Sequence, residues 1–109
     1  MAEVKKSNLK KNTGIRIKKD ACVVIVRTEW NAAIVDELET GCLSELKKLG
    51  VKKIVSLMVP GAFEIPFGIK NYWDKSSKKD KPAAFIALGC VLRGDTPHFD
   101  YVCKAVTDG

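Results

Sequence analysis

The sequence predicts an α/β fold in which a doubly wound parallel sheet lies between two layers of helices. Three apolar runs rich in β-branched residues alternate with segments of helical periodicity, and this order is typical of parallel sheets. Apolar residues make up 46% of the chain and charged residues 29%, which excludes disordered and fibrous classes. The length of 109 residues allows one domain. We therefore expect one domain with three layers.

The net charge of +6 is concentrated before the first predicted strand of the sheet. Seven basic residues and one acidic residue lie within residues 1–19, whereas the rest of the chain carries equal numbers of each. We expect residues 1–12 to form a mobile basic arm and residues 13–109 to form the α/β domain, with a short edge strand at 15–18. A basic arm is also compatible with binding to RNA, a membrane surface or an acidic partner, and that alternative stays open here.

The first buried strand is predicted at residues 21–26, a continuous apolar run. A helix follows, with Asn31 as its N-cap, acidic residues leading it and Gly50 at its C′ position. Gly41 inside this helix costs about 1 kcal/mol relative to alanine, which suggests that the backbone packs closely against a neighbour. The predicted buried stripe comprises Val35, Leu38, Cys42, Leu46 and Leu49.

The second buried strand is predicted at 54–59, another run rich in β-branched residues. A turn at 60–62 then leads into a helix, because proline and glycine interrupt regular structure. The apolar stripe of this helix contains Ile65, Ile69 and Tyr72 or Trp73.

The third buried strand is predicted at 84–88 and is expected to extend to Leu92. Thr96 is then placed to cap a last helix that has Pro97 at its first position. The predicted buried stripe of this helix comprises Phe99, Val102, Cys103 and Val106.

The four cysteines indicate a reducing compartment and no zinc site. They lack the C-x-x-C spacing of paired metal ligands, and His98 is the single histidine. Cys22 and Cys42 lie in apolar patterns, where a free thiol acts as a small core residue. Because the sequence has neither a secretory signal nor a membrane-spanning run, we expect a cytoplasmic protein, or one in an organelle whose targeting signal the sequence does not reveal.

Each predicted strand is followed by a segment that core packing does not explain. These segments are residues 27–31, 60–66 and 93–98. Right-handed crossovers place the carboxyl ends of parallel strands at one edge of the sheet, where open α/β sheets bind ligands. We therefore predict one binding site built from all three segments.

The first two segments have a functional interpretation and an ordinary structural one. Trp30 offers a flat face for stacking on a planar ring, or folds back onto the core. The turn at 60–62 lets backbone approach a ligand, or is an ordinary strand-to-helix turn. Glu64 accepts hydrogen bonds from a ligand N–H, or favours the N-terminus of its helix.

The third segment contains a candidate anion site and a candidate proton-transfer group. Backbone N–H groups at 94–96 and the dipole of the following helix favour an anion, whereas the Asp95 side chain repels one; an ordinary capped helix is the alternative. His98 lies near the positive end of that helix. We expect its imidazole to be neutral at pH 7 and able to take or give a proton, with an exposed surface histidine as the alternative.

Two stretches resemble the signature motifs of the lumazine synthase family, at 59–66 (VPGAFEIP) and 88–102 (LGCVLRGDTPHFDYV), and Trp30-Asn31 resembles its aromatic–Asn pair. The resemblance implies a flavodoxin-like strand order and a transferase of riboflavin biosynthesis. This enzyme condenses 5-amino-6-(D-ribitylamino)uracil with 3,4-dihydroxy-2-butanone 4-phosphate. The products are 6,7-dimethyl-8-ribityllumazine, phosphate and water, and no metal or organic cofactor is implied.

The resemblance also implies roles for individual residues. Trp30 would stack on the pyrimidine ring, and His98 would be the acid/base histidine. Asp95 and Thr96 would hold the phosphate end of the butanone through the loop backbone. The pocket for the uracil and its ribityl chain would be lined by Ala62, Phe63, Glu64, Cys90, Val91 and Leu92.

The resembled family continues past this last helix with a further strand and two helices, which carry a phosphate-binding arginine and an aromatic residue of a neighbouring subunit. We expect the 109-residue chain to be a piece that lacks them. The family forms pentamers and larger shells with active sites between subunits. The resemblance therefore implies a homopentamer or larger assembly, with no nucleic-acid or membrane partner. The alternative is an inactive ligand-binding fragment or paralogue that keeps the uracil pocket.

Overall fold

The computed structural model describes residues 20–109. The predicted basic arm at 1–12 and the edge strand at 15–18 lie outside the described residues, so both stay predictions. Within the described range, no helix is long and apolar enough to cross a bilayer.

Three parallel strands alternate with three α-helices, and this confirms the predicted α/β class. The elements are β1 (Cys22–Thr28), α1 (Ala32–Lys48), β2 (Lys53–Val59), α2 (Ile65–Lys75), β3 (Ala84–Leu88) and α3 (His98–Asp108), with short 3₁₀ helices at Ala62–Glu64 and Lys78–Asp80. The strand order is β2-β1-β3. In register, Val23 of β1 lies beside Ile54 of β2 and Ala84 of β3. The strand β3 ends at Leu88, so the predicted extension to Leu92 is wrong.

The core is built on both faces of the central strand β1. Val24 and Val26 pack against Ile65 of α2, whereas Val23 and Ile25 pack against Leu46 of α1. This alternation follows from the period of two along a strand. Helices therefore cover β1 from both sides, which confirms the three-layer arrangement.

The strands β2 and β3 are only partly buried, so the prediction of three fully buried strands is correct for β1 alone. Along β2, Val55 and Met58 are exposed and Val59 is the one fully buried residue. The reason is position, because β2 and β3 form the edges of the described sheet and helices cover them incompletely.

The helix α1 buries a narrower stripe than the sequence predicts. Val35 and Leu46 are buried and Cys42 is half-buried, but Leu38 and Leu49 are 43% and 65% exposed. Burial, with a smaller contribution from the nearby Glu39 carboxylate, raises the pKa of the Cys42 thiol. Cys42 therefore packs as a small neutral residue, as its apolar pattern indicates.

The two ends of α1 differ in how well the sequence predicts them. Gly50 has a φ of +84°, and the N–H groups of Gly50 and Val51 donate to the carbonyls of Lys47 and Leu46, each at 3.0 Å. This is the Schellman arrangement expected of a C′ glycine. At the other end Asn31 occupies the N-cap position, but its side chain makes no cap hydrogen bond and the first turn contains no acidic residue.

Gly41 has open space around it, so the predicted close packing of the backbone is wrong. A Cβ added at Gly41 would meet no described atom within 4 Å.

Gly41→Ala should therefore raise the free energy of unfolding by about 1 kcal/mol, because alanine restricts the unfolded chain and favours the helix. Urea denaturation measures this change. Gly50→Ala is the control and should destabilise, since its φ is positive; a loss of stability for Gly41→Ala would contradict the prediction.

The side chain of Arg27 packs under α1 and does not contribute to the ligand edge, so its predicted place among the site segments is wrong. Its guanidinium pairs with Asp36, lies 3.1 Å from a Glu39 carboxylate oxygen and donates to the Thr28 carbonyl at 3.0 Å. Glu39 also accepts a hydrogen bond from Ser56 of β2. The hydrogen bond to Asp36, with that to Glu39, raises the pKa of Arg27 despite its burial. A charged network therefore joins β1, α1 and β2.

Candidate active site

The three segments that follow the strands meet around one cavity at the carboxyl edge of the sheet. The cavity has a volume of about 400 Å³. It is lined by Trp30, Asn31, Gly61, Ala62, Phe63, Glu64, Cys90, Val91, Leu92, His98 and Val102. This placement agrees with the topological argument that parallel strands bring their carboxyl ends to a common edge.

Eight of the ten predicted site residues line this cavity, and two do not. Asp95 and Thr96 are absent from the lining and lie in the exposed loop before α3. The lining also includes Asn31 and Gly61, which lie in the predicted site segments 27–31 and 60–66 but have no individually predicted binding role. It further includes Val102, which the helical stripe indicates only as a packing residue. Val102 carries no local signal for ligand binding. It belongs to the predicted buried stripe of α3, whose four residues are only half-buried, so the predicted burial of that stripe is wrong.

Trp30 is held by its backbone while its ring stays open to solvent. The N–H groups of Glu29 and Trp30 donate to the carbonyls of Val59 and Pro60 at 2.8 and 3.0 Å. The buried Thr28 hydroxyl donates to the Trp30 carbonyl at 3.2 Å. The indole is 65% exposed, so it is not folded back onto the core. A fixed backbone with an exposed aromatic face is suited to stacking on a planar ring.

The turn at Gly61 lies directly against the indole of Trp30. A Cβ added at Gly61 would be 2.9 Å from Cε3 of that ring, closer than real side-chain contacts. The φ of Gly61 is −140°, so it is the close approach of the indole, and not the backbone conformation, that favours glycine here.

Gly61→Ala should displace the Trp30 indole without unfolding the chain. Because the ring is exposed, we expect the free energy of unfolding to change by about 0.5 kcal/mol or less. The displacement is measured as a change in Trp30 fluorescence in a Trp73→Phe background. Gly94→Ala is the matched control, since nothing lies within 4 Å of its added Cβ among the described atoms. Unchanged Trp30 emission in Gly61→Ala would contradict the predicted contact.

Glu64 has a local partner within the turn. Its Oε2 accepts a hydrogen bond from the Gly61 N–H at 3.0 Å. This contact supports the structural interpretation of Glu64, in which its carboxylate stabilises the start of a helix. The ligand-binding interpretation stays a prediction.

His98 is the first residue of α3, with Pro97 at the N-cap position, one residue later than the sequence predicts. Thr96 is therefore not the N-cap residue of this helix, although its hydroxyl oxygen lies 3.4 Å from the backbone nitrogen of His98. The His98 residue is exposed and lines the cavity. His98 therefore borders the space that a bound molecule would occupy, and its role in proton transfer stays a prediction.

Arg93, in the segment before α3, contacts two residues of that helix. Its guanidinium carbon lies 4.3 Å from the Phe99 ring centroid, and Nη2 is 3.1 Å from a carboxylate oxygen of Asp100.

Among residues 20–109, no group of three His, Cys, Asp or Glu side chains lies close enough to hold a metal ion.

Comparison with known proteins identifies relatives over nearly all of the described range. The family model described as 6,7-dimethyl-8-ribityllumazine synthase matches residues 20–109. Proteins bearing that name from Parabacteroides distasonis and Phocaeicola vulgatus are 49% and 52% identical over 87 residues. The protein of that name from Streptomyces coelicolor is 40% identical over 90 residues.

These alignments cover most of this chain but a smaller share of its relatives. The covered share of the chain is 78%, 78% and 83% for the three proteins in the order given. The corresponding share of each relative is 52%, 49% and 53%. The chain therefore spans about half the length of the curated relatives it matches.

Proposed function

The chain belongs to the 6,7-dimethyl-8-ribityllumazine synthase family, and from this premise we propose that it serves riboflavin biosynthesis. The proposed reaction is the condensation of 5-amino-6-(D-ribitylamino)uracil with 3,4-dihydroxy-2-butanone 4-phosphate. The observation that carries this proposal is the shared cavity, which is lined by an exposed tryptophan, the turn at 61–64 and the single histidine.

The cavity walls support binding of the uracil. The exposed indole of Trp30 is the proposed stacking surface for the pyrimidine ring, and the exposed Phe63 ring adds a second aromatic wall. Backbone of the turn approaches the indole closely at Gly61. Ala62, Glu64, Cys90, Val91 and Leu92 complete the proposed pocket for the ring and its ribityl chain.

His98 is the proposed proton-transfer residue. In the reaction an amine adds to the ketone and water leaves to form an imine, phosphate is then eliminated, and a second amine condenses with a carbonyl, with loss of a second water, to close the ring. Each stage moves a proton, and a single imidazole beside the cavity suits that task. Holding both substrates together supplies much of the remaining acceleration, since orientation is worth about 7–11 kcal/mol in favourable cases.

The phosphate end of the butanone is proposed to bind at the loop containing Asp95 and Thr96. This loop leads directly into the N-terminus of α3, where free N–H groups and the helix dipole favour an anion. The proposed contacts come from backbone N–H groups, because the Asp95 carboxylate would repel phosphate.

We propose a homopentamer or larger assembly with active sites between subunits, located in the cytoplasm or an organelle. Large apolar side chains stay exposed near the cavity, including Phe63 at 62% and Leu92 at 63%. A subunit interface would cover such surface. We propose no nucleic-acid or membrane partner for the α/β domain, because acidic and basic residues are balanced after residue 19. Sedimentation analysis tests the assembly; a monomer at all concentrations would contradict it.

The proposed activity is tested by mixing both substrates with the chain and following the absorbance of the lumazine product. Product formation above the uncatalysed rate supports the synthase. Binding of the uracil without product supports the alternative of an inactive ligand-binding fragment or paralogue. Absence of both binding and product would contradict the proposed function.

Trp30→Ala should weaken uracil binding by roughly 5- to 100-fold, because stacking of a base on an aromatic side chain is worth about 1–3 kcal/mol. Isothermal titration with the uracil measures this loss. Trp73→Ala is the matched control, since Trp73 packs against Phe85 and is absent from the cavity lining. An unchanged dissociation constant in Trp30→Ala would contradict the proposed stacking role.

A further inference from the structure

Asn31 has an unusual backbone conformation between Trp30 and α1. Its φ and ψ are 59° and 42°, and it is the one non-glycine residue with positive φ among residues 20–109. Asparagine tolerates this left-handed region better than most residues. The Asn31 carbonyl accepts from the N–H groups of Ile34 and Val35 at 3.0 and 3.1 Å, which starts the helix. The backbone of Asn31 therefore suffices to begin α1.

The Asn31 side chain is used elsewhere. An N-cap asparagine ordinarily accepts a hydrogen bond from the first helical turn, but this one does not. Its Nδ2 instead donates to the carbonyl of Cys90 at 2.9 Å, across 59 positions of sequence. Both residues line the cavity. One side chain thus connects the Trp30 loop to the segment that follows β3.

The Trp30 loop is consequently held from two sides. On one side the Trp30 N–H donates to the Pro60 carbonyl, which ties the loop to the end of β2. On the other side the Asn31 amide ties the loop to the end of β3. This second contact lies between the indole and the cavity wall formed by Cys90, Val91 and Leu92.

We propose that Asn31 is a positioning residue, which sets the distance between the Trp30 stacking surface and the 90–92 wall of the uracil pocket. The inference deepens the proposed function and rests on it. Asn31 acts through its neighbours, so its loss should affect the uracil more than the phosphorylated butanone, whose proposed site lies at 95–96.

The decisive variants are Asn31→Asp and Asn31→Gly. Both residues are accepted at N-caps, and glycine adopts positive φ freely, so α1 should form in both. Asp replaces the amide donor by an oxygen that faces the Cys90 carbonyl, and Gly removes the side chain. A purely structural role predicts that Asp, which is favoured at a helix N-terminus, behaves as the original residue. A positioning role predicts that both variants are impaired.

We expect the KM for the uracil to rise about three- to tenfold in both variants, with the KM for the butanone and the urea midpoint unchanged. Asn71→Asp is the matched control, because Asn71 lies on α2 and is absent from the cavity lining. An unaltered uracil KM in Asn31→Asp would overturn the inference. An equal rise in both KM values together with a lowered urea midpoint would also overturn it.

A measurement without substrates separates this inference from the proposed function. In a Trp73→Phe background, Trp30 is the single tryptophan of the chain. We expect its fluorescence anisotropy to fall in Asn31→Gly, because the loop loses its hydrogen bond to the segment after β3. Unchanged anisotropy would overturn the positioning role even if the chain makes lumazine. Lowered anisotropy in a chain that binds no uracil would support the positioning of Trp30 and contradict the proposed function alone.

Discussion

Arg27→Met is expected to lower the free energy of unfolding by about 3 kcal/mol. The Arg27 side chain is 7% exposed, and its guanidinium neutralises Glu39, whose side chain is 18% exposed. Methionine fills similar space but leaves the Glu39 carboxylate without its cation, and removing one member of a buried ion pair costs about 3–5 kcal/mol. Because Asp36 is 62% exposed and keeps its hydration, we expect the lower end of that range.

Urea denaturation of Arg27→Met and the original chain measures this loss. Lys70→Met is the matched control, since the Lys70–Asp74 pair is exposed, with side-chain exposures of 77% and 55%. Exposed pairs contribute about 0.2–1 kcal/mol. Equal effects of the two substitutions would show that the Arg27 network does not behave as a buried one.

His98→Ala is expected to slow lumazine formation by roughly 100-fold or less at saturating substrates. General acid–base catalysis by one side chain contributes about 10²–10⁴-fold, and we expect the low end because the orientation of the two substrates survives the substitution. The KM values should change little, since the proposed role of His98 is proton transfer rather than substrate binding.

Steady-state kinetics with both substrates saturating measure the effect, and a urea midpoint checks that the fold is intact. His98 is exposed at the first position of α3, so alanine should leave stability unchanged. A kcat equal to that of the original chain would show that the proton-transfer role is wrong.

Several features of this protein were determined by the sequence itself. The run Val23–Val26 is apolar at every position, and such a run is stable only where helices cover both faces of a strand. Gly50 is placed where a helix must end in the left-handed region. The alternation of strands and helices then brings the three loops to one edge, since the hand of each crossover is fixed by chain chirality. Eight predicted site residues meet there for that reason.

Other features were decided only by the tertiary structure. The ion pair of Arg27 with Asp36, the contact of Gly61 with the Trp30 ring and the bond from Asn31 to Cys90 join residues of different structural elements. Local patterns report the average environment of a residue, such as buried or exposed and helix or strand. They do not report which distant polar atom a side chain reaches, because that depends on how neighbouring elements pack and on which strand occupies an edge.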